Sequence, residues 1–388
     1  YLIMEDGKTI GEPGDRICNH DLASTLRRIA KEGVSSFYRG SIADQIEADM
    51  VENGGSLRKG DLARLRVVEK APVRTDYRGM EILSVPSPGG GDALVEALNI
   101  LETFPSEFLA EDSLNRHHAV IEAARIARAD RANSGAGMLT TGMPGATVRS
   151  KRHAYDRAQM IVPGTALPDT AITGPVDPDC LPTGDSTTQV SIIDSNGNVV
   201  SFTQTLGRSF GGKVATPGLG FPYNNFLEAF RVDKERCPGF LRPLAPCAND
   251  MAPSILVRDD GSTLAIGSPG SNRIPSIMSS VISNMVDRGM DLRESVEAPR
   301  ILWGGLTLVT IEAEITGGVT DAHAEAFDSM GYDHPVLRIH FPADPYDLAN
   351  FGGVNAALYS PSDGSYIGVS DPRRGGLAKG PRVVAGRK

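Results

Sequence analysis

The stretch that decides the fold runs from Ser186 to Thr205 and reads STTQVSIIDSNGNVVSFTQT. Both of its halves are rich in residues that favour β-strands. Asn196-Gly197 lies between them, and Asn-Gly between two such runs is a strong signal for a β-hairpin. The sequence therefore predicts an antiparallel hairpin that returns Thr205 to the neighbourhood of Thr187.

Two adjacent threonines, Thr187 and Thr188, open the first predicted strand. A threonine becomes a good nucleophile when cleavage before it frees its own backbone amine, because that amine can then act as the base. The arrangement indicates a self-cleaving amidohydrolase that is cut between Ser186 and Thr187. The alternative is a pair of strand-forming threonines without a chemical role.

Further motifs accompany the hairpin along the chain. They are Phe37-Tyr38-Arg39-Gly40, Gly54-Gly55, Tyr77-Arg78-Gly79, Phe210-Gly211, Asn224-Asn225 and Gly267-Ser268-Pro269-Gly270. In order and spacing these motifs resemble those of the γ-glutamyltransferase family, whose members are N-terminal-nucleophile hydrolases. The resemblance covers nearly the whole chain. It implies an α+β fold, the four-layer αββα sandwich, and an amide-cleaving hydrolase or acyltransferase that needs no cofactor.

The resemblance also implies roles for single residues. Thr187 matches the nucleophile, and Thr205 matches a second threonine that hydrogen-bonds the nucleophile and orients it. Gly270 and Ser271 stand where the family has two glycines whose backbone N–H groups bind the oxyanion. The second glycine is thus replaced here, although Ser271 keeps a backbone donor next to the start of a predicted helix.

The positions that recognise the substrate depart more from the family. Ala229 stands where the family has an acidic residue for the substrate α-amino group, and Gly207 stands where it has an asparagine. Asn249-Asp250 replaces a pair of serines, and Gln189 replaces a histidine. Because a buried charge without a partner is costly, we expect a pocket that is not built for an ordinary γ-glutamyl group.

Some nearby side chains are candidates for relocated recognition. Asp250 or Glu228 is a candidate partner for a substrate ammonium, and Arg208 is a candidate partner for a carboxylate. A solvated surface charge is the alternative for each of them. The complete set of candidate substrate-binding residues is Gly207, Arg208, Asn225, Glu228, Asn249 and Asp250.

Composition limits the class of partner. The chain has 388 residues, of which 40% are hydrophobic and 22% charged, and its net charge is -9. This charge and the lack of a basic patch interleaved with aromatic residues argue against a nucleic-acid partner. No apolar run is long enough to span a membrane. The four cysteines and seven histidines show no metal-ligand spacing, so we expect no metal. The family resemblance implies a small-molecule amide or acyl substrate.

Hydrophobic periodicity predicts the secondary structure. Helices are expected at 20–33, 41–52, 92–103, 113–131, 273–287, 291–298 and 320–330. Strands are expected at 79–86, 188–194, 199–205, 254–258, 263–267, 306–313, 354–360 and 365–369. From about 133 to 186 Gly, Pro, Thr and Asp dominate, which predicts a long segment without regular structure just before the cleavage site.

The predicted cleavage divides the chain into two parts. Residues 1–186 match a large subunit that is helical and ends in a flexible linker, and residues 187–388 match a small subunit that begins at the nucleophile. The two self-cleaved chains are expected to remain associated. Family members carry a substantial region before these motifs, so we expect the sequence to be a fragment, and the compartment stays open.

Two further hypotheses remain beside the amidohydrolase. A family member of specialised metabolism can keep the nucleophile and act on an unusual bond, including a carbon–carbon bond. A family fold can also persist as an unprocessed, non-catalytic protein. The departures from the family pattern at Gly207, Ala229 and Asn249-Asp250 support this hypothesis. The retention of Thr187, Thr205 and Gly270 favours an enzyme over this last hypothesis.

Overall fold

The computed structural model describes residues 15–134, 144–172, 186–230, 232, 240–305, 308–312, 321–332, 337–339 and 351–380. The chain divides into two compact units, Tyr1–Lys70 with Arg208–Asn225, and Ala71–Gly207 with Phe226–Lys388. This division does not follow the predicted boundary at 186, because that boundary concerns a cleavage and the units are defined by packing.

The first unit is helical in its described part. Its helices are α1 (His20–Glu32), α2 (Ser35–Tyr38), α3 (Ser41–Glu52) and α4 (Lys59–Arg64). Asn19 caps α1, since its Oδ1 accepts a hydrogen bond from the Leu22 N–H at 2.8 Å, and its Nδ2 donates to the Gly220 carbonyl at 2.7 Å. Ile42 and Ile46 of α3 pack with Leu219 in a small core of this unit.

The second unit contains the other elements. In chain order they are β1 (Val73–Tyr77), β2 (Met80–Ser84), α5 (Gly91–Leu101), α6 (Ser106–Ala110), α7 (Leu114–Asn133), α8 (Gly145–Val148), α9 (Lys151–Ala158), α10 (Asp169–Ile172), β3 (Ser186–Ile193), β4 (Val199–Gly207), β5 (Ser254–Arg258), β6 (Thr263–Gly267), α11 (Ile274–Val286), α12 (Leu292–Glu297), β7 (Ile301–Gly305), β8 (Leu308–Glu312), α13 (Asp321–Ser329), β9 (Leu337–Ile339), β10 (Asn355–Ser360) and β11 (Ser365–Ser370). Within the described residues, 3₁₀ turns cover Phe226–Ala229 and Ser271–Arg273.

A six-stranded sheet organises the second unit. Its strand order is β1-β2-β5-β6-β10-β11, and every neighbouring pair is antiparallel. The helices α5 and α11 pack on one face, where Leu94, Leu98 and Ile277 meet Ile82 and Ile266 in the main core. Every residue of α5 is buried, which makes it the central helix of this layer.

The strands β3 and β4 form a separate antiparallel hairpin. It packs against the six-stranded sheet through hydroxyl groups: the Ser201 Oγ donates to the Ile266 carbonyl at 2.8 Å, and the Ser191 Oγ donates to the Asn355 carbonyl at 2.8 Å. A helix layer, a sheet and a second sheet therefore follow one another in this unit, as the predicted sandwich requires. A third sheet has the order β7-β8-β9.

Each predicted helix and strand that falls on described residues is present, with ends that differ by a few residues. The prediction of a segment without regular structure from 133 to 186 is wrong for residues 144–172, where α8, α9 and α10 form. Ala154, Ala158 and Ile172 of these helices are buried, so tertiary packing supplies the order that local composition does not indicate. The rest of that predicted segment, up to 185, lies outside the described residues.

The helices of the described residues include none that combines the length and the apolar character needed to cross a bilayer.

Candidate active site

The hairpin places Thr187 directly opposite Thr205, whereas Ser186 lies opposite Gly207. The register therefore shifts between Ser186 and Thr187, because β4 contributes one additional residue, Leu206. Such a bulge bends a strand and redirects the groups beside it. Gly207 has a φ of 91°, in the region that favours glycine, so this residue type suits the bulge. The irregularity coincides with the predicted cleavage bond.

The Thr205 hydroxyl donates a hydrogen bond to the Ser186 carbonyl oxygen. Its own oxygen accepts the Gly207 N–H at 2.8 Å, which fixes the hydroxyl between the two groups. A donor on a carbonyl oxygen draws electron density from the carbon and makes it easier to attack. The predicted orienting threonine thus contacts the carbonyl of the bond that is predicted to break.

Gln189 holds the hairpin in place from its inner face. The residue is 5% exposed, and its Nε2 donates to the Ser191 and Ser201 hydroxyls at 3.0 Å each. Its Oε1 accepts from the Thr203 hydroxyl at 2.5 Å. The amide lies directly on Gly267, where any Cβ atom would overlap it. The sequence indicates Gln189 only as a departure from the family, and its bridging position becomes visible in the structure.

Contacts along β3 show which end of the six-stranded sheet Thr187 occupies. Ser191 lies over Asn355, the first residue of β10, and Asp194 further along accepts at 3.5 Å from the hydroxyl of Tyr366, near the start of β11. Because β10 and β11 are antiparallel, these two contacts lie toward opposite ends of the sheet. Thr187 therefore lies toward the end at which β6 ends and β10 begins, which we name the Thr187 end.

The loop that leaves β6 at the Thr187 end contains the predicted oxyanion residues. Ser268 is fully buried, and its Oγ donates to the Pro269 carbonyl at 2.6 Å and accepts the Gly353 N–H at 3.2 Å. Gly270 has a φ of 147°, and a Cβ there would lie 2.7 Å from the Ile277 side chain, so both conformation and space favour glycine. Ser271 follows with a φ of 58° and begins the 3₁₀ turn before α11.

Asp250 and Asn249 are held by arginines of α7. Asp250 is 7% exposed, and its carboxylate accepts from Arg128 at 2.5 Å and from Arg131 at 2.6 Å. Arg131 also donates to the Asn249 carbonyl at 2.6 Å. The segment that contains Asn249 and Asp250 leads into β5 at Ser254. Ser254 pairs with Ile266 near the end of β6, so this segment enters the sheet at the Thr187 end. A carboxylate already balanced by two guanidinium groups argues against Asp250 as the partner of a substrate ammonium.

The remaining candidate substrate-binding residues are Glu228, Arg208 and Asn225. Glu228 is exposed in the 3₁₀ turn Phe226–Ala229 of the second unit. Arg208 and Asn225 belong to the first unit, where the Arg208 backbone N–H donates to the Asn225 Oδ1 at 2.8 Å. The hairpin thus brings together Ser186, Thr187, Thr205 and Gly207, and within the first unit Arg208 contacts Asn225.

One cluster of possible metal ligands exists among the described residues. Glu96 of α5, Asp130 of α7 and His153 of α9 place their ligand atoms within 4.8 Å of one another. The Arg157 guanidinium bonds Asp130 through Nε at 2.7 Å, and burial together with the Asp130 charge raises the pKa of Glu96 well above its ordinary value. Arg157 and a protonated Glu96 already compensate Asp130, so the donor set suits an internal ion pair better than a cation.

The structure also shows a site residue that sequence analysis does not identify. Arg374 follows β11 and lines a cavity of about 990 Å³ together with Thr187, Pro269 and Gly353. No motif or spacing marks this arginine, because its place depends on the pairing of β10 with β11 and β6.

Comparison with known proteins gives consistent matches. A sequence profile described as Gamma-glutamyltranspeptidase matches residues 2–380. The acylase ACY 1 proenzyme of Pseudomonas sp. (strain V22) is 34% identical over 375 residues, which cover 95% of this chain and 62% of that protein. The glutathione hydrolase proenzyme of Escherichia coli (strain K12) is 33% identical over 378 residues, covering 94% of this chain and 62% of that protein.

Solved structures agree with the sequence matches. The crystal structure of cephalosporin acylase from Bacillus halodurans has a TM-score of 0.80 and 27% identity, and the alignment covers 96% of this chain and 64% of that chain. The chain therefore spans about three fifths of the length of these relatives.

Proposed function

Because the chain belongs to the Gamma-glutamyltranspeptidase family, we propose that it is a self-processing amidohydrolase or acyltransferase with Thr187 as its nucleophile. The family and the α+β fold of the N-terminal-nucleophile hydrolase type are those that the sequence predicts, and the match confirms both. One observation carries the proposal to residue level: the Thr205 hydroxyl bonds the Ser186 carbonyl immediately before Thr187.

Self-processing is the first stage of the proposed mechanism. The Thr187 hydroxyl oxygen attacks the Ser186 carbonyl carbon, the C–N bond breaks, and the nitrogen takes the hydroxyl proton. This leaves Ser186 joined to Thr187 through an ester, which water hydrolyses to a Ser186 carboxylate and a Thr187 with a free amine. The Thr205 hydroxyl stabilises the negative charge that develops on the Ser186 oxygen during the attack.

Substrate cleavage is the second stage. The free Thr187 amine takes the proton of the Thr187 hydroxyl, whose oxygen attacks the substrate amide carbon. The amide C–N bond breaks, the leaving amine receives the proton, and an acyl-enzyme ester remains. Water or an acceptor amine then attacks this ester and regenerates the hydroxyl. We assign the oxyanion of this stage to the backbone N–H groups of Gly270 and Ser271.

The two chains produced by cleavage are expected to stay together. The strands β1 and β2 belong to the part before Ser186, whereas β5 and its neighbours belong to the part after it, and β2 pairs with β5 over five residues. The helices α5 and α7 of the first part share one core with α11 of the second part. A shared sheet and a shared core give a large hydrophobic interface between the chains.

The acyl group of the substrate is proposed to differ from γ-glutamate. Ala229 replaces the acidic residue that the family uses for the α-amino group, and Asp250 is paired with Arg128 and Arg131. An ammonium group bound there would lose its hydration without gaining a carboxylate partner. Among the relatives, one is named an acylase and another a glutathione hydrolase, and we favour an acylase-like substrate for this chain.

The intact mass of the purified protein over time tests the proposal, with a Thr187→Ala variant measured in parallel. We expect the mass of 41.2 kDa to be replaced by two fragments that meet between Ser186 and Thr187. The variant is expected to keep the single mass. A wild-type chain that stays intact under all conditions, or a variant that is cleaved at the same bond, would contradict Thr187 as the self-processing nucleophile.

A further inference from the structure

Two serines fasten the hairpin to the six-stranded sheet next to the predicted oxyanion loop. Ser191 of β3 donates to the Asn355 carbonyl at the start of β10. Ser201 of β4 donates to the Ile266 carbonyl near the end of β6. Asn355 lies opposite Gly267, the last residue of β6, so both attachments lie where the loop leaves the sheet.

The Gln189 side chain joins these two attachments. Each serine hydroxyl uses its own proton on a backbone carbonyl, so its oxygen is left as an acceptor. The Gln189 Nε2 donates to both oxygens at 3.0 Å and shares a proton with the Val190 carbonyl, while its Oε1 accepts from the Thr203 hydroxyl. This place needs two N–H donors and an acceptor on one short group, which a thioether or an imidazole does not supply.

The Gln189 amide also lies at the base of the predicted oxyanion loop. It contacts Gly267, where a Cβ would overlap it, so glycine leaves the space that the amide fills. The loop begins at the next residue, Ser268, whose hydroxyl accepts the Gly353 N–H at 3.2 Å. Thr187 precedes Gln189 by two residues on β3 and therefore lies on the same face of the strand. One buried side chain thus connects the nucleophile strand with the loop.

The two stages of the proposed mechanism depend on this connection to different degrees. Self-cleavage uses Ser186, Thr187 and Thr205, which all belong to the hairpin. Substrate cleavage also uses the N–H groups that we assign to the oxyanion, those of Gly270 and Ser271, which belong to the loop. A small movement of the hairpin on the sheet would keep the first group of residues together but would displace the nucleophile from the loop.

Resting on the proposed function, we propose that Gln189 is a positioning residue that sets the distance between the Thr187 hydroxyl and the oxyanion donors of the substrate stage. It acts through the position of β3 against the loop that follows β6. A displacement of about 1 Å between catalytic groups can lower a rate about 100-fold. Loss of the amide should therefore slow substrate cleavage far more than self-cleavage.

The test compares both stages in Gln189→Met, which keeps the length of the side chain and removes its donors and its acceptor. Self-cleavage is followed by mass. Acyl transfer is followed on the self-cleaved protein with p-nitrophenyl acetate, a small activated ester, and the rate of Thr187→Ala is subtracted. We expect kcat for the ester to fall about 10- to 100-fold, with KM and the rate of self-cleavage each changed by no more than about threefold. Gln189→His keeps one donor and one acceptor and should recover part of the loss in kcat.

Gln204→Met is the matched control, because Gln204 is a glutamine of the same hairpin on the exposed face of β4. Both of its rates should stay within about twofold of the wild-type rates. If Gln189→Met leaves kcat for the ester unchanged, or slows self-cleavage by as large a factor as ester hydrolysis, the positioning role of Gln189 is refuted while the proposed function stands.

Thr203→Val provides a milder variant in case the methionine variant does not fold. It keeps the branched shape of the side chain and removes only the hydrogen bond to the Gln189 Oε1. We expect the same selective loss in kcat for the ester, by a smaller factor, and equal slowing of both stages would again refute the role of Gln189. A wild type that neither self-cleaves nor hydrolyses the ester faster than Thr187→Ala would refute the proposed function, and the role of Gln189 with it.

Discussion

The hairpin and the helix layer of the second unit both bury polar side chains, but they balance them differently. On the inner face of the hairpin the polar groups are neutral. Serine and threonine hydroxyls form hydrogen bonds with the Gln189 amide. On α7 the buried groups are charged, and all but Arg116 form an ion pair with another element or the next turn. Arg116 donates instead to the Leu109 carbonyl and to Asn284. These buried charged residues of α7 are Arg116, Glu122, Arg125, Arg128, Asp130 and Arg131.

This difference indicates that the hairpin serves the reaction, whereas the ion pairs of α7 stabilise the fold. An internal ion pair holds a helix in place strongly only while both partners are present. The neutral hydroxyls of the hairpin act as hydrogen-bond donors to the charge that develops during the reaction. We therefore expect substitutions on α7 to change stability and substitutions at the hairpin to change cleavage.

Asp250→Asn should have the largest effect, and it should act on stability. Removing this carboxylate leaves Arg128 and Arg131 buried beside each other without their shared partner. Loss of one partner of a buried ion pair costs about 3–5 kcal/mol in the free energy of unfolding, measurable by urea denaturation. Asp156→Asn, which breaks an exposed pair with Arg152, should cost less than about 1 kcal/mol.

The same variant can refute the view that Asp250 only stabilises the fold. If Asp250→Asn unfolds at the wild-type urea concentration but loses affinity for substrate, Asp250 is a substrate ligand, as the sequence alone suggests.

Thr205→Val should show the opposite behaviour. The change keeps the shape of the side chain and removes the hydroxyl that bonds the Ser186 carbonyl. We expect the rate of self-cleavage, followed by mass, to fall about 10²–10³-fold, the usual cost of losing one oxyanion donor. Thr205→Ser restores the hydroxyl and should recover most of the rate. Equal rates for the valine and serine variants would show that this hydroxyl does not act on the carbonyl.

Gly267→Ala tests how the hairpin is seated on the sheet. The new methyl group would overlap the Gln189 amide, so the hairpin must shift or Gln189 must abandon its hydrogen bonds. Overpacking of this kind costs about 1–3 kcal/mol in stability. We also expect slower self-cleavage, because β3 carries Thr187. Gly380→Ala, where a Cβ meets open space, is the control and should change neither quantity.

The hairpin was predictable because its signals are local. Asn196-Gly197 and the flanking strand-forming residues specify the turn and the pairing of Thr187 with Thr205 within twenty residues. The helices and strands with clear periodicity were predictable for the same reason. The helices α8 to α10 were missed because Gly, Pro and Thr dominate their neighbourhood, and their order comes from buried contacts with distant residues.

The ion pairs were not predictable, because their partners are far apart in sequence. Asp250 meets Arg128 and Arg131 across about 120 residues, and neither spacing nor composition marks such a pair. Arg374 reaches the cavity of Thr187 only through the order of strands in the six-stranded sheet. Sequence reasoning therefore predicts the nucleophile hairpin and misses the ion pairs between distant residues and the position of Arg374.

Glu96→Gln should have the smallest effect of these variants. It should change the thermal stability, and only above acidic pH. Burial, and then the Asp130 charge, raise the pKa of Glu96 well above its ordinary value near 4.5, so the folded protein keeps this proton where the unfolded chain releases it. The folded protein is therefore increasingly destabilised relative to the unfolded chain as pH rises above the ordinary pKa of glutamate near 4.5. Glutamine cannot ionise, so the variant should melt a few degrees higher than the wild type at pH 8, with the difference shrinking toward pH 4.5. Glu107→Gln, at an exposed site on α6, should show no such trend. A variant that is less stable by the same amount at every pH would mean that Glu96 serves packing and that its proton has no part in the stability of the helix layer.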